Sequence, residues 1–160
     1  MSDSSKRTKR NLEALEGDLA SNRLHHALLL QGKNLSALEK GAIHLTRKIL
    51  GAKEETEEHP DLFHLRPSGK ARLITVESTR SLISDLNRSA SQGENKVALL
   101  HEVDRMRREA ANAFLKTLEE PPHGTFILMV TTRPYSLLPT IRSRCLQVRL
   151  EEKFEELEDE

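Results

Sequence analysis

Apolar residues follow two different rhythms along this chain. Short runs in which almost every position is apolar occur at 26–30, 97–100 and 126–130, and they read as strands buried on both faces. A fourth run at 146–150 and an extended segment at 60–65 read as weaker strands. Between them the apolar positions fall at helical spacing. Leu12, Leu15 and Leu19 predict a helix over 11–24, and Leu38, Ala42, Ile43 and Leu45 predict one from Ser36 to about Leu50. Ile83 and Leu86 predict a helix over 76–89, and Ala110, Ala113, Phe114 and Leu118 one over 107–119. A short helical turn is expected at 137–143.

The breaks between these runs have their own chemistry. Gln31-Gly32-Lys33-Asn34 and Pro67-Ser68-Gly69-Lys70 read as turns. Ser36 with Glu39 three residues on reads as a capping box, and Gly51 as the stop of that helix. The stretch 51–59 is acidic and loop-like. Pro121-Pro122 ends the fourth helix, because proline lacks the amide donor and clashes with the preceding turn. Strands alternating with helices predict a three-layer α/β domain: a parallel sheet flanked by helices on both faces. The domain is expected over 11–150, behind a disordered basic start at 1–10 and ahead of an acidic tail at 151–160.

Composition sharpens this outline. The chain has 160 residues, enough for one core and short for two. Aromatics are only 3% and Trp is absent, so the core must be built from Leu, Ile, Val and Ala. The formal net charge is zero, but residues 151–160 carry seven acids, and without them 24 basic and 18 acidic residues leave a net of +6. That mild excess is compatible with phosphate contacts. Aromatic residues for base stacking are nearly absent, so DNA contact is expected to be weak or indirect. A single cysteine, Cys145, excludes an internal disulfide and a multi-thiolate metal site. It reads as a small buried hydrophobe. No metal is expected. No apolar run reaches the about 20 residues a membrane helix needs, and no signal-peptide pattern opens the chain. A cytoplasmic setting is expected, with no membrane partner.

The candidate chemistry lies where strands end in polar residues. A phosphate-binding loop after the first strand would read G-x-x-x-x-G-K-[ST], with backbone N–H groups converging on phosphate and the Lys neutralising charge. Gly32 and Lys33 begin such a loop. However, Ala37, Leu38 and Glu39 then stand where Gly, Lys and Ser or Thr belong. A carboxylate replaces the hydroxyl that would hold Mg²⁺, and Leu38 brings no charge. The strand at 97–100 should end in Asp-Glu, to hold Mg²⁺ and polarise water. It ends in His101-Glu102. Both elements are degenerate, and no nucleotide or other cofactor is expected. Thr131-Thr132, at the end of the strand at 126–130, reads as a turn.

From 95 to 145 the sequence resembles the ATPase core of AAA+ clamp-loader subunits, most closely the delta-prime branch of the bacterial DNA polymerase III loaders. The most specific match is Ala110-Ala111-Asn112-Ala113-Phe114-Leu115-Lys116-Thr117-Leu118-Glu119-Glu120-Pro121-Pro122, followed by Pro139-Thr140-Ile141-Arg142-Ser143-Arg144-Cys145. Arg23-Leu24-His25-His26-Ala27 and His59-Pro60-Asp61-Leu62 extend the likeness toward the N-terminus. The resemblance implies a P-loop NTPase-like, AAA+-like fold. It makes Arg144 an arginine finger acting in trans on a neighbouring ATPase, and Thr131 and Thr132 sensor-like. The family's four-cysteine zinc module has no counterpart at 51–58, and its helical lid and collar domains are not expected within these 160 residues.

The implied function is that of a clamp-loader subunit without its own ATPase. It would help load the sliding clamp during DNA replication, alongside gamma/tau-like ATPase and delta-like subunits, with the clamp itself an indirect partner. Two alternatives stay open: an active ATPase with an atypical loop, and a nucleotide-independent regulatory binding module.

Overall fold

The computed structural model describes residues 3–150, with side chains from Leu12 onward. In chain order the elements are α1 (Asp3–Ala20), β1 (Ala27–Gln31), α2 (Leu35–Leu50), β2 (Leu62–Leu65), α3 (Val76–Leu86) and β3 (Lys96–Leu100). Then follow α4 (Arg108–Glu119), β4 (Thr125–Thr131), α5 (Pro139–Arg142) and β5 (Leu146–Arg149), with 3-10 turns at Val103–Arg105 and Pro134–Ser136. The strands form a single sheet in the order β2-β3-β4-β1-β5, and every pairing is parallel.

Successive strand residues point to opposite faces, and both faces are covered. On one side Leu28, Leu30, Val97, Leu99, Leu128 and Val130 pack against Leu12 and Leu15 of α1 and Leu38, Ala42 and Leu45 of α2. On the other, Ala27, Leu29, Ala98, Leu100, Ile127 and Met129 meet Leu82 and Leu86 of α3 and Phe114 and Leu118 of α4. This is why the strands are apolar at every position. Two buried charges tie the loops to this frame. The Asp61 carboxylate accepts the Ser91 and Gln92 amides at 2.6 and 2.8 Å. The Lys96 ammonium donates to the Leu86 and Arg88 carbonyls, where the end of α3 is negative.

Three expectations change. The backbone is already helical from Asp3, and α1 ends at Ala20, so the first helix starts before residue 11 and stops short of 24. Helix α2 is capped by Asn34, whose side chain accepts the Ala37 amide at 3.2 Å. The Ser36–Glu39 capping box does not form, because the Glu39 carboxylate is bonded to His101 instead. Helix α3 ends at Leu86, and Leu82 is buried on it where Ile83 is only half-buried. Gly51 does end α2, in the left-handed conformation at φ 66° that glycine adopts without a steric cost. The acidic stretch 151–160 lies outside the described residues.

The chain leaves β1 toward β2, on one face, and leaves the adjacent β4 toward β5, on the other. The crevice between diverging connections, outside the carboxyl ends of the strands, is where open parallel sheets hold ligands. Gly32, His101 and Thr131 all stand on that edge.

Candidate functional site

At the end of β1 the chain turns under its own last described residue. The Leu150 amide donates to the Gln31 carbonyl at 2.9 Å. A Cβ on Gly32 would lie 2.1 Å from the Leu150 carbonyl oxygen. Gly32 is therefore required by close packing against Leu150, whatever else the loop does. Lys33 beside it is exposed. Helix α2 begins three residues on, and its buried stripe includes Ala37 and Leu38. Leu38, at the position of a phosphate-binding Lys, is fully buried in the core.

The end of β3 supplies the rest. His101 is almost completely buried. Its Nδ1 donates to Glu39 Oε2 at 2.6 Å, and its Nε2 meets His64 Nδ1 at 2.8 Å. His64 Nε2 donates to the Glu57 carbonyl at 2.6 Å. The two imidazoles stack, with centroids 5.1 Å apart. Glu39 and His101, expected from the sequence at the hydroxyl and carboxylate positions of a Mg²⁺ site, thus bind each other. The chain of contacts runs on through β2 to the acidic loop.

Glu102 does not join them. It sits at φ 47° with its carboxylate on Arg72 at 2.8 Å and Arg105 at 3.4 Å. The Thr131 hydroxyl donates to Asp104 at 2.6 Å and accepts the Arg133 amide at 2.9 Å, which is the turn its sequence suggests. Thr132 is exposed.

A cleft of about 350 Å³ opens beside this network, lined by Ser36, Glu39, Lys40, Glu55, Glu57 and His101, among others. The residues present do not fit a Mg²⁺–triphosphate. Glu39, Glu55 and Glu57 line the cleft beside Lys40, Leu38 at the expected Lys position is buried, and the His101 nitrogens are already engaged. The hydrogen bond from His101 holds the Glu39 carboxyl below the usual carboxylate range, and burial lowers His64.

The Glu39 shift has a definite sign. A depressed folded value means that the unfolded chain binds the proton more readily. The stability Glu39 contributes is then present above its ordinary value of 4.5 and is lost as pH falls through the folded value. Glu39 is part-exposed, so its contribution is discounted to about 1 kcal/mol, or about 3 °C in Tm. Thermal melts of wild type and Glu39→Gln are expected to differ by that amount at pH 6–7 and to converge below pH 4.5. A gap that does not begin to narrow as pH falls below 4.5 counts against an ionised Glu39 held by this hydrogen bond.

Arg144 lies elsewhere. It precedes β5 and packs beside the C-terminal end of α4, which runs back to the amino ends of the strands. His26, just before β1, meets the Leu118 carbonyl at 2.7 Å and marks that edge. The cleft is on the opposite edge. Arg144 Nε donates to Glu119 Oε1 at 2.6 Å, and Nη1 to the Thr140 carbonyl at 2.8 Å. Its side chain is 32% exposed. Cys145 hangs from α5 with its thiol on the Ile141 and Arg142 carbonyls at 3.5 Å, and burial pushes its pKa up to about 11. It is a protonated, packed thiol at neutral pH, not a nucleophile.

Reasoning from sequence missed His64 and Glu119. His64 sits in a weak strand with no spacing signal toward His101, and only the β2–β3 pairing brings them together. Glu119 was visible in the Leu118-Glu119-Glu120-Pro121-Pro122 match, without its link to Arg144.

The profile of the family described as DNA polymerase III, delta subunit, matches residues 7–154. The DNA polymerase III subunit delta' of Yersinia pestis is 36% identical over 146 residues, 82% of this chain and 43% of that protein. The subunit delta' of Pseudomonas aeruginosa is 44% identical over 89 residues, 56% of this chain and 27% of that protein. Among solved structures, a DNA polymerase III gamma subunit-related protein of Thermotoga maritima superposes with a TM-score of 0.76 at 30% identity, covering 93% of this chain and 48% of that one. The chain thus spans less than half the length of these relatives. No described helix is long and apolar enough to cross a membrane.

Proposed function

Because this chain belongs to the DNA polymerase III delta-subunit family, we propose that it acts as a clamp-loader subunit that does not hydrolyse ATP itself. It serves a neighbouring ATPase through Arg144. In this reading it assembles with gamma/tau-like and delta-like subunits and helps place the sliding clamp on DNA during replication. It touches DNA weakly or through the others, and works in the cytoplasm.

The observation that carries the reading is the Glu39–His101–His64 chain at the place of the Mg²⁺–phosphate site. A subunit with carboxylates and buried Leu38 in that position gains nothing from a bound triphosphate. Arg144 stands on the opposite edge of the sheet, where it cannot reach this chain's own cleft but can meet another subunit. A guanidinium suits that task because it is always charged and presents a planar fork of donors.

Calorimetric titration of the folded protein with ATP–Mg²⁺ is expected to give no binding heat, and melting is expected to be unchanged by the nucleotide. A ligand that binds only the native state would raise stability. Stoichiometric binding would put an active ATPase with an atypical loop in place of this reading.

A further inference from the structure

We propose that Glu119 is a positioning residue for Arg144, holding the guanidinium so that its Nη2 donors are ready for a phosphate anion carried by another subunit. This rests on the reading of Arg144 as an arginine finger. The geometry divides the five donors of the guanidinium. Nε goes to Glu119 Oε1 at 2.6 Å, and Nη1 is taken by the Thr140 carbonyl at 2.8 Å and the Ser143 hydroxyl at 3.4 Å. Nη2 has no partner among the described residues. Its two N–H groups therefore remain, one beside Nε and one at the tip of the fork next to Nη1.

A free arginine side chain would lose up to about 2 kcal/mol of rotamer entropy on docking. One clamped at Nε and Nη1 has lost most of that already, and it keeps the two Nη2 donors for an incoming anion.

The placement of Glu119 supports a dedicated role. It is the last residue of α4, at the negative end of the helix dipole, where a carboxylate is disfavoured unless a cation faces it. Pro121-Pro122 follow after one residue and stiffen the chain behind it. Arg144 arrives from α5, 25 residues later. The two sequence segments that carry the family likeness thus meet in one contact. Glu120, next in the chain and exposed, has the same charge without the contact, which makes it the natural control.

The test uses the complete chain reconstituted with a DNA polymerase III tau/gamma-type ATPase, reading kcat and KM for ATP. Glu119→Ala is expected to lower kcat several-fold with KM unchanged. Glu119→Gln, which keeps an acceptor, should fall between it and wild type, and Glu120→Gln should match wild type. Adding Glu119→Ala to Arg144→Ala should cost nothing more. If Arg144→Ala slows the partner but Glu119→Ala does not, this proposal fails and the finger stands. If Arg144→Ala is silent, the finger reading fails and takes this one with it. A rise in kcat with Glu119→Ala would make Glu119 a brake, and an equal fall in the Arg144→Ala background would make it structural; either result overturns the proposal.

Discussion

Arg144→Ala in the reconstituted complex is expected to slow ATP hydrolysis by the neighbouring subunit by at least tenfold, toward the about 10³–10⁵ that a finger can supply where it is the dominant charge on the transferring phosphoryl group. The loss should appear in kcat, because charge develops on the phosphoryl oxygens in the transition state and the guanidinium answers it there. Arg144→Lys should rescue little. An ammonium has no planar fork, and it cannot hold Glu119 through one nitrogen while offering another. The fold should survive the change. Arg144 is part-exposed, and its ion pair with Glu119 joins two part-exposed side chains, a class of contact worth at most about 1 kcal/mol. Full partner activity with Arg144→Ala, in a complex shown to have assembled, would rule out the finger.

The second large effect is on stability. Leu38→Lys restores, on paper, the lysine of a phosphate loop. The structure places that position on the buried stripe of α2, with Leu38 fully buried and packed with Leu28, Leu30, Ala42 and Leu45. The substitution removes apolar burial of about 2–3 kcal/mol and leaves an ammonium without a partner in the core. The expected loss is about 4 kcal/mol or more, a large share of the total stability of a domain this size. Urea midpoints measure it. Leu38→Met, similar in volume, should cost less than about 1.5 kcal/mol, and neither variant should gain ATP–Mg²⁺ binding. A stable Leu38→Lys protein that binds nucleotide would mean that the α2 terminus can reshape into a working loop.

Much of the fold could be read in advance, for a plain reason. The apolar runs at 26–30, 97–100 and 126–130 are buried on both faces, and the helices between them are buried on one, so the two rhythms separate cleanly. The edge strand β5 is harder to see: Leu146 and Gln147 are exposed and Val148 only half-buried. The cap of α2 is not legible in the sequence, because Ser36 and Glu39 have the spacing of a capping box while Asn34 sits at the true start and Glu39 has a partner across the sheet.

By itself the sequence determined the alternation of strand and helix, the lack of a G-x-x-x-x-G-K-[ST] run after the first strand, and the segment around Arg144. These are local facts, written in residue type and spacing. Only the tertiary structure decided what fills the altered site and how the arginine is held. His64 meets His101 across 37 positions, and Glu39 meets it across 62. The residues come together because the sheet order sets β2 beside β3 and brings α2 over the end of β3. Glu119 and Arg144 meet because α4 and α5 return to one edge of the sheet. Hydrogen bonds of this kind depend on which elements become neighbours, and spacing along a single chain carries no record of that.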